Sequence, residues 1–341
     1  MSATQGALPV RALVVSWNGA DLLRPCLDSL LAQTARDELE VVVVDNGSAD
    51  GTLELLRTEY PTVRVIASPT NLGFAGGVAL GCQDFRGEAV LLLNNDAVLA
   101  PDGLERMLDV LREDAEVGAV TAKVLLAGWF CPVPPGSPGA VRARHGWVRP
   151  CPAGTPGAVR LVNSTGNVVD TWGAGHDRDW LAPSGSEASD GDVPGFCGAA
   201  ALLRWSALAE VGGFDGSLFL YYEDTDVSYK LRRAGWRIRY ASSALAEHRH
   251  AASSDERSPL FRYYNTRNAL VVVARHAPLA VVAASLARQT LGTVRATVAR
   301  AEPAPVRAAR RRALRDAVLR LPRTFAERRR LDSVLGRTPT R

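Results

Sequence analysis

What the chain lacks narrows the field first. Its five cysteines (Cys26, Cys82, Cys131, Cys151 and Cys197) are odd in number, scattered and never spaced as CxxC. That argues against a zinc site or a disulfide framework and predicts free buried thiols. Only two lysines, Lys123 and Lys230, accompany 38 arginines, a skew that reads as coding bias. The N-terminus has no basic segment leading into an unbroken apolar run, so no signal peptide is expected and a cytoplasmic chain is predicted. The apolar stretch at 269–287 is broken by Arg275, His276 and Pro278, which argues against a spanning helix. No GxGxxG follows a strand, so a dehydrogenase has only βα alternation in its favour.

What is present reads as a globular protein. A hydrophobic fraction of 47% with 22% charged residues excludes a disordered chain. The first 125 residues alternate short apolar runs ("RALVVSW", "EVVVVD", "VRVIAS", "AVLLLNND", "VGAVTAKVLL") with amphipathic stretches. Such a series predicts an α/β, Rossmann-like, mostly parallel sheet flanked by helices, with ligands at the carboxyl ends of the strands. Pro and Gly dominate about 127–160, read as an irregular or hairpin insertion with too few apolar residues for a core. The last 39 residues carry twelve arginines against three acids, so the tail is basic and the body acidic. Within the tail, Val306, Ala309, Ala313, Ala317 and Leu321 form a helical stripe ringed by arginines. A basic amphipathic helix of this kind suits an anionic membrane surface, and a solvated tail or an oligomer contact is the alternative. The acidic body and the lack of a binding motif argue against nucleic acid.

Three segments carry candidate chemistry. The strand "EVVVVD" ends at Asp45 in a Gly, Ser and Asn turn, where a carboxylate can accept from a base N–H or a ribose hydroxyl, or simply cap a helix. The strand "AVLLLNND" ends in Asn94, Asn95 and Asp96, and a strand-end aspartate suits a divalent cation on a diphosphate, or a polar turn. Between them, "NLGFAGGVALG" offers Gly73, Gly76, Gly77 and Gly81 for close backbone approach to a ligand. Later, "YYEDTDVSYKLRRAGWRI" sets Glu223, Asp224 and Asp226 directly after an apolar run. They can be an acidic first helical turn, with Asp226 paired to Lys230 at i, i+4, or they can be catalytic. Tyr221, Tyr222 and Trp236 can floor an acceptor sugar, and core packing accounts for Trp236 equally well.

Eight segments in order, "VVSWNGADLLRPCLDSLLAQT", "VVVVDNGSADGT", "NLGFAGG", "LLLNNDAVL", "GAAALLRWSALAEVGGFD", "YYEDTDVSYKLRRAGWRI", "EHRHAASS" and "YYNTRNAL", resemble glycosyltransferase family 2, the inverting GT-A enzymes that use nucleotide sugars. The match spans about residues 10–270 and is nearest the rhamnosyltransferase and galactofuranosyltransferase-like branch. The resemblance implies a GT-A domain over 1–268 and a helical, basic tail over 269–341. It implies Asp224 as the catalytic base and donor contacts at Ser16, Asn18, Asp45, Asn71, Gly73, Phe74 and Asn95. It implies Mg²⁺ or Mn²⁺ held by Asp96 and His248, with His250 the competitor, and acceptor contacts at Gly198, Ala199, Tyr222 and Glu223. The expected donor is dTDP-rhamnose or a UDP-sugar, and the expected acceptor a glycan or polyprenyl-linked sugar, used at the inner face of the plasma membrane. One departure stands out: the family's DxD is here Asn94, Asn95, Asp96, with a single carboxylate. A weaker metal site follows, and a catalytically weak nucleotide-sugar-binding protein of the same fold is the alternative reading.

Overall fold

Strands that are apolar at consecutive positions need cover on both faces, and the sheet provides it. The computed structural model describes residues 9–249 and 258–335. The first half runs β1 (Val10–Ser16), α1 (Ala20–Leu31), β2 (Leu39–Asp45), α2 (Thr52–Glu59), β3 (Arg64–Ala67), α3 (Gly73–Gly81), β4 (Ala89–Leu93), β5 (Ala97–Leu99), α4 (Gly103–Glu113) and β6 (Val117–Leu126). The insertion holds β7 (Trp129–Val133), β8 (Val141–Ala143) and β9 (Gly146–Cys151). Then follow β10 (Val162–Ser164), β11 (Asn167–Val169), β12 (Gly175–Asp177), β13 (Gly191–Asp192), β14 (Ala200–Arg204), α5 (Trp205–Glu210), α6 (Glu223–Arg233), β15 (Arg237–His248), α7 (Pro259–His276), α8 (Leu279–Val298) and α9 (Ala304–Val334).

The main sheet has the order β13-β15-β6-β14-β4-β1-β2-β3. Strands β3, β2, β1 and β4 are parallel, β14 runs antiparallel between β4 and β6, and β15 lies parallel to β6. One face is covered by Leu23, Leu27 and Leu30 of α1 with Met107, Leu108 and Leu111 of α4. The other is covered by Val78 of α3, Leu208 of α5, and Val227 and Leu231 of α6. Close helix–sheet approach explains two of the glycines. A Cβ on Gly77 would stand 2.6 Å from Val15, and one on Gly81 would stand 2.3 Å from Leu13. These two seat α3 on β1 and do not serve a ligand.

Three expectations need correction. The insertion takes its hairpin alternative, β7, β9 and β8 forming an antiparallel sheet, but it does have a small core, of Leu126, Phe130, Ala143, Val148 and Leu161. The pairing of β7 with β9 brings two of the cysteines together, so Cys131 and Cys151 form a disulfide and only Cys26, Cys82 and Cys197 are free thiols. The apolar stripe of the tail is not open to a membrane. Val306, Ala309, Ala313 and Ala317 are at most 5% exposed, and their small side chains let α9 pack along α7. Among the described residues, no helix is long and apolar enough to cross a membrane.

Candidate active site

The base end of the site is a strained loop with a strong support. Phe219, Tyr221 and Tyr222 have φ of 68°, 68° and 70°, positive values that cost non-glycine residues roughly 1–3 kcal/mol each, and Phe219, with ψ −63° and the Leu220 N–H donating to the Leu218 carbonyl at 2.8 Å, is the centre of a γ-turn. The fully buried Asn268 of α7 holds it there. Its Nδ2 donates to the carbonyls of Leu218, Leu220 and Tyr221 at 2.9, 2.8 and 2.8 Å, while Arg267 Nη2 donates to those of Ser217 and Leu218 at 3.0 and 2.8 Å. The loop is also pressed against the glycine segment. Gly73 has φ 70°, an added Cβ there would stand 2.3 Å from the Phe219 carbonyl oxygen, and that oxygen accepts from the Ala75 N–H at 3.1 Å.

The loop delivers three acids to three different surroundings. Glu223 is buried with Oε2 unpartnered, and burial, reinforced by the Asp224 charge, pushes its carboxyl up to about 8. Asp224 is half-buried. Its Oδ2 accepts from the Gly198 N–H at 3.2 Å and its Oδ1 from the Thr225 N–H at 2.6 Å. Burial still raises it to about 6, opposed by the Gly198 N–H and helped by the Asp177 charge. Asp226 is wholly buried and spent on structure: Lys230 Nζ lies at 2.7 Å, Arg275 Nη1 at 2.7 Å and His276 Nε2 at 2.8 Å. Burial alone would raise its carboxyl, and Lys230 foremost, then Arg275, with the His276 hydrogen bond, instead hold it well below the carboxylate range. Arg275 also reaches Asp215 at 2.8 Å and Glu327 of α9 at 2.7 Å, so the helix that starts beside the base is bolted to α7 and α9.

The opposite end is made of strand termini. The β1–β2 register sets Ser16 beside Asp45, and Asn95 Nδ2 donates to Ser16 Oγ at 3.3 Å. Asp45 Oδ2 accepts from the Ser48 N–H at 3.2 Å, and its buried Oδ1 has no partner, which leaves an acceptor for a ligand N–H. Asn18, at φ 50°, accepts from the Ala49 N–H at 2.8 Å, and Asn71 Oδ1 accepts from the Gly73 N–H at 2.8 Å. Phe74 and Asp224 both border Gly198, and the Ala199 carbonyl accepts from the Asn94 N–H at 3.0 Å. The start of β14 thus links the base to the Asn94–Asp96 turn.

Asp96 and His248 meet because β5 pairs with β15, setting His248 opposite Ala97. His248 Nδ1 donates to Asn163 Oδ1 at 2.7 Å, which turns the Nε2 lone pair toward Asp96 Oδ1 at 3.0 Å and Asn94 at 3.4 Å. Apart from that His248 contact, the buried Asp96 Oδ1 has no hydrogen-bond partner among the described residues. A ring lone pair facing an orphaned carboxylate oxygen fits a cation held by Asp96 and His248, with remaining positions left to phosphate oxygens. Among the described residues no cluster of three His, Cys, Asp or Glu side chains stands ready for a metal. His250 lies outside the described residues.

The structure therefore gathers Ser16, Asp45, Asn95, Asp96 and His248 at one end and Gly198, Tyr222, Glu223 and Asp224 at the other, with Gly73, Phe74 and Ala199 between. Trp236 stands apart: its Nε1 donates to Glu210 at 2.9 Å and its side chain lies over Gly118, so it is packing and not a sugar platform. The Tyr221 ring meets Phe261 edge-on at 5.0 Å. The supports Asn268 and Arg275 and the neighbouring Asp177 escaped sequence reasoning; "YYNTRNAL" flagged Asn268 as a motif residue but gave it no partner.

Residues 12–125 match glycosyl transferase family 2 and residues 153–331 match glycosyl transferase family group 2. An N-acetylglucosaminyl-diphospho-decaprenol L-rhamnosyltransferase of Mycobacterium tuberculosis is 30% identical over 266 residues, 74% of this chain and 78% of that one. The succinoglycan biosynthesis protein ExoO of Rhizobium meliloti is 38% identical over 107 residues, 31% of this chain and 30% of its own. Among solved structures, the mannosyltransferase PcManGT of Pyrobaculum calidifontis, in complex with GDP-Man and Mn²⁺, aligns with a TM-score of 0.51 at 20% identity, covering 92% of this chain and 87% of that one. GalNAc-T7 with UDP, GalNAc and Mn²⁺ aligns at 0.58 and 16% identity, covering 80% of this chain and 48% of its own. The two family matches, which together run along most of the chain, and the mycobacterial relative at 30% identity place the chain in glycosyltransferase family 2, to which it belongs as a glycosyltransferase.

Proposed function

We propose that the enzyme transfers rhamnose from dTDP-rhamnose, with inversion, to a hydroxyl of a polyprenyl-diphosphate-linked sugar used in cell-wall or polysaccharide synthesis. The transferred sugar and the acceptor follow the mycobacterial relative's name, the dTDP carrier follows the family resemblance, and the observation that carries the mechanism is Asp224, half-buried, raised in pKa and fixed at a helix start. In this reading Asp45 accepts from the thymine N–H, Ser16, Asn18, Asn71, Gly73, Phe74 and Asn95 shape the donor pocket, and Asp96 with His248 holds a divalent cation. The cation, when bound, offsets charge on the departing diphosphate. Asp224 takes the proton of the acceptor hydroxyl as that oxygen bonds to the anomeric carbon and the carbon–oxygen bond to the nucleoside diphosphate breaks. Glu223, protonated beside it at neutral pH, keeps a second negative charge from crowding the base, and Gly198, Ala199 and Tyr222 line the acceptor side.

Enzyme with dTDP-rhamnose, Mn²⁺ and a short-chain prenyl-diphospho-N-acetylglucosamine is expected to give a rhamnosylated product of inverted anomeric configuration. Tight dTDP-rhamnose binding with no transfer to any sugar hydroxyl would instead favour the catalytically weak reading. A lipid-linked acceptor also calls for contact with the inner leaflet. With the α9 stripe covered, the surface suited to it is α8, which exposes Leu279, Leu291, Val294 and Val298 beside Arg288 and Arg295 and contains no acid. Leu291→Glu with Val294→Glu should abolish sedimentation with anionic vesicles while leaving transfer to a water-soluble acceptor intact; unchanged sedimentation would refute this surface.

A further inference from the structure

Beyond the base, an open groove of about 560 Å³ is lined by Arg142, Ala143 and Arg144 of the insertion, by Asp177 at the end of β12 and by Asp179, Trp180 and Leu181 after it. Its volume falls in the range of small-ligand sites, and its two ends differ in charge. The inner end carries Asp177 of β12, the strand whose Gly175 N–H donates to the Tyr222 hydroxyl at 2.9 Å and so lies against the segment that carries Asp224. The outer end carries Arg142, which has no ion-pair partner among the described residues, and Arg144, whose Nη1 sits 3.2 Å from Asp179 Oδ1.

The groove is also built. Asp179 and Leu181 both adopt φ of 58°, a left-handed pair flanking Trp180 that turns its ring outward to 37% exposure. Asp179 holds this turn: its Oδ2 accepts from Thr165 Oγ1 at 2.7 Å and from the Ala188 N–H at 3.3 Å. The Leu181 carbonyl accepts from the Arg144 N–H at 3.3 Å, tying the turn to the insertion. The insertion is in turn closed by the Cys131–Cys151 disulfide. Backbone strain sustained by this many contacts points to a use for the residue it displays.

We infer that this groove binds the phosphate-bearing saccharide of the acceptor, with the sugar face against Trp180 and the phosphate on Arg142 and Arg144. The inference rests on the lipid-linked acceptor proposed above and assigns it a place. Arg144 is aligned in advance by Asp179, and Arg142 supplies the uncompensated charge; guanidinium forks suit phosphate oxygens. With the anion at the outer end, the sugar extends inward past Trp180 toward Asp177, so its hydroxyl arrives at Asp224 while the phosphate stays away from the acidic end. Apolar sugar faces pack on aromatic rings, and Trp offers the largest.

The test uses the full chain with prenyl-diphospho-N-acetylglucosamine and with an alkyl N-acetylglucosaminide that carries no phosphate. Arg142→Ala and Arg144→Ala are each expected to raise KM for the diphosphate acceptor about tenfold or more, with Arg142→Lys recovering only part of the loss, since the charge returns without the bidentate fork. Neither should change KM for the neutral acceptor or the affinity for dTDP. Trp180→Ala should raise KM for both acceptors. Unchanged KM in all three variants, or an equal penalty from the arginine variants on both acceptors, would overturn the groove. Calorimetric titration of the diphosphate acceptor in the absence of donor keeps this distinct from the donor assignment. Binding that weakens in Arg142→Ala supports the groove even if dTDP-rhamnose proves the wrong donor, and binding that is indifferent to all three variants refutes it even if transfer is observed.

Discussion

The two ends of the cleft are built on different principles. One end consists of residues that sit where buried parallel strands stop, so Asp45 and Asp96, the proposed donor contacts, are placed by sheet register within a few residues of their own strand. The base end consists of a positive-φ loop that would not hold its shape alone, and its supports, Asn268 and Arg275, come from a helix more than 40 residues later. A strand-end site tolerates damage far from it, whereas a strained loop inherits every weakness of its distant props. The acids make the same point in miniature: Asp224 and Asp226 are two residues apart, yet one is half-buried beside Gly198 and the other is buried against Lys230, Arg275 and the His276 ring.

The largest expected effect lies at the base. Asp224→Asn should keep dTDP affinity and lose transfer by about 10² to 10⁴ in kcat, since an amide preserves shape but cannot take the proton. Glu223→Gln should cost much less, because Glu223 is already neutral at neutral pH in this environment. Initial rates beside calorimetric dTDP titrations check both, and a dead Glu223→Gln with an active Asp224→Asn would exchange their roles.

Next comes Asp226→Ala, which removes the counter-charge from buried Lys230 and Arg275 and should destabilise the fold by about 3–5 kcal/mol, read by denaturant unfolding. It tests whether the base end depends on its props. A loss below about 1 kcal/mol would mean that α6 is held by packing alone. At the donor end, Asp96→Ala should instead leave stability nearly unchanged and weaken Mn²⁺-assisted dTDP binding by about one to two orders of magnitude, with His248→Ala acting in the same direction. If Asp96→Ala unfolded the protein while Asp226→Ala did not, the contrast between the two ends would be reversed.

The smallest effect is on the pH profile. A base raised to about 6 works only when deprotonated, so kcat should fall as pH drops through about 6, approaching tenfold per unit below it, and level off above. Gly198→Pro removes the N–H that lowers this pKa and should move the acid limb to higher pH; an unmoved limb would take that hydrogen bond out of the account.

Pattern and spacing in the sequence determined the α/β sheet, because runs such as "VVVVD" must be covered on both faces, and they determined that carboxylates sit where those runs end. They also marked the acidic segment of α6 and the order of motifs that the family shares. What they could not determine were contacts whose sense depends on a partner far along the chain. The alanine stripe of α9 reads as an amphipathic surface until α7 is seen lying on it. Cys131 and Cys151 read as loose thiols until β7 pairs with β9. Glu223, Asp224 and Asp226 are chemically alike in one dimension, and only tertiary structure gave them different surroundings, two raised in pKa and one held low by buried cations, because burial and the nearest charges, which the fold alone arranges, set the protonation of a carboxyl group.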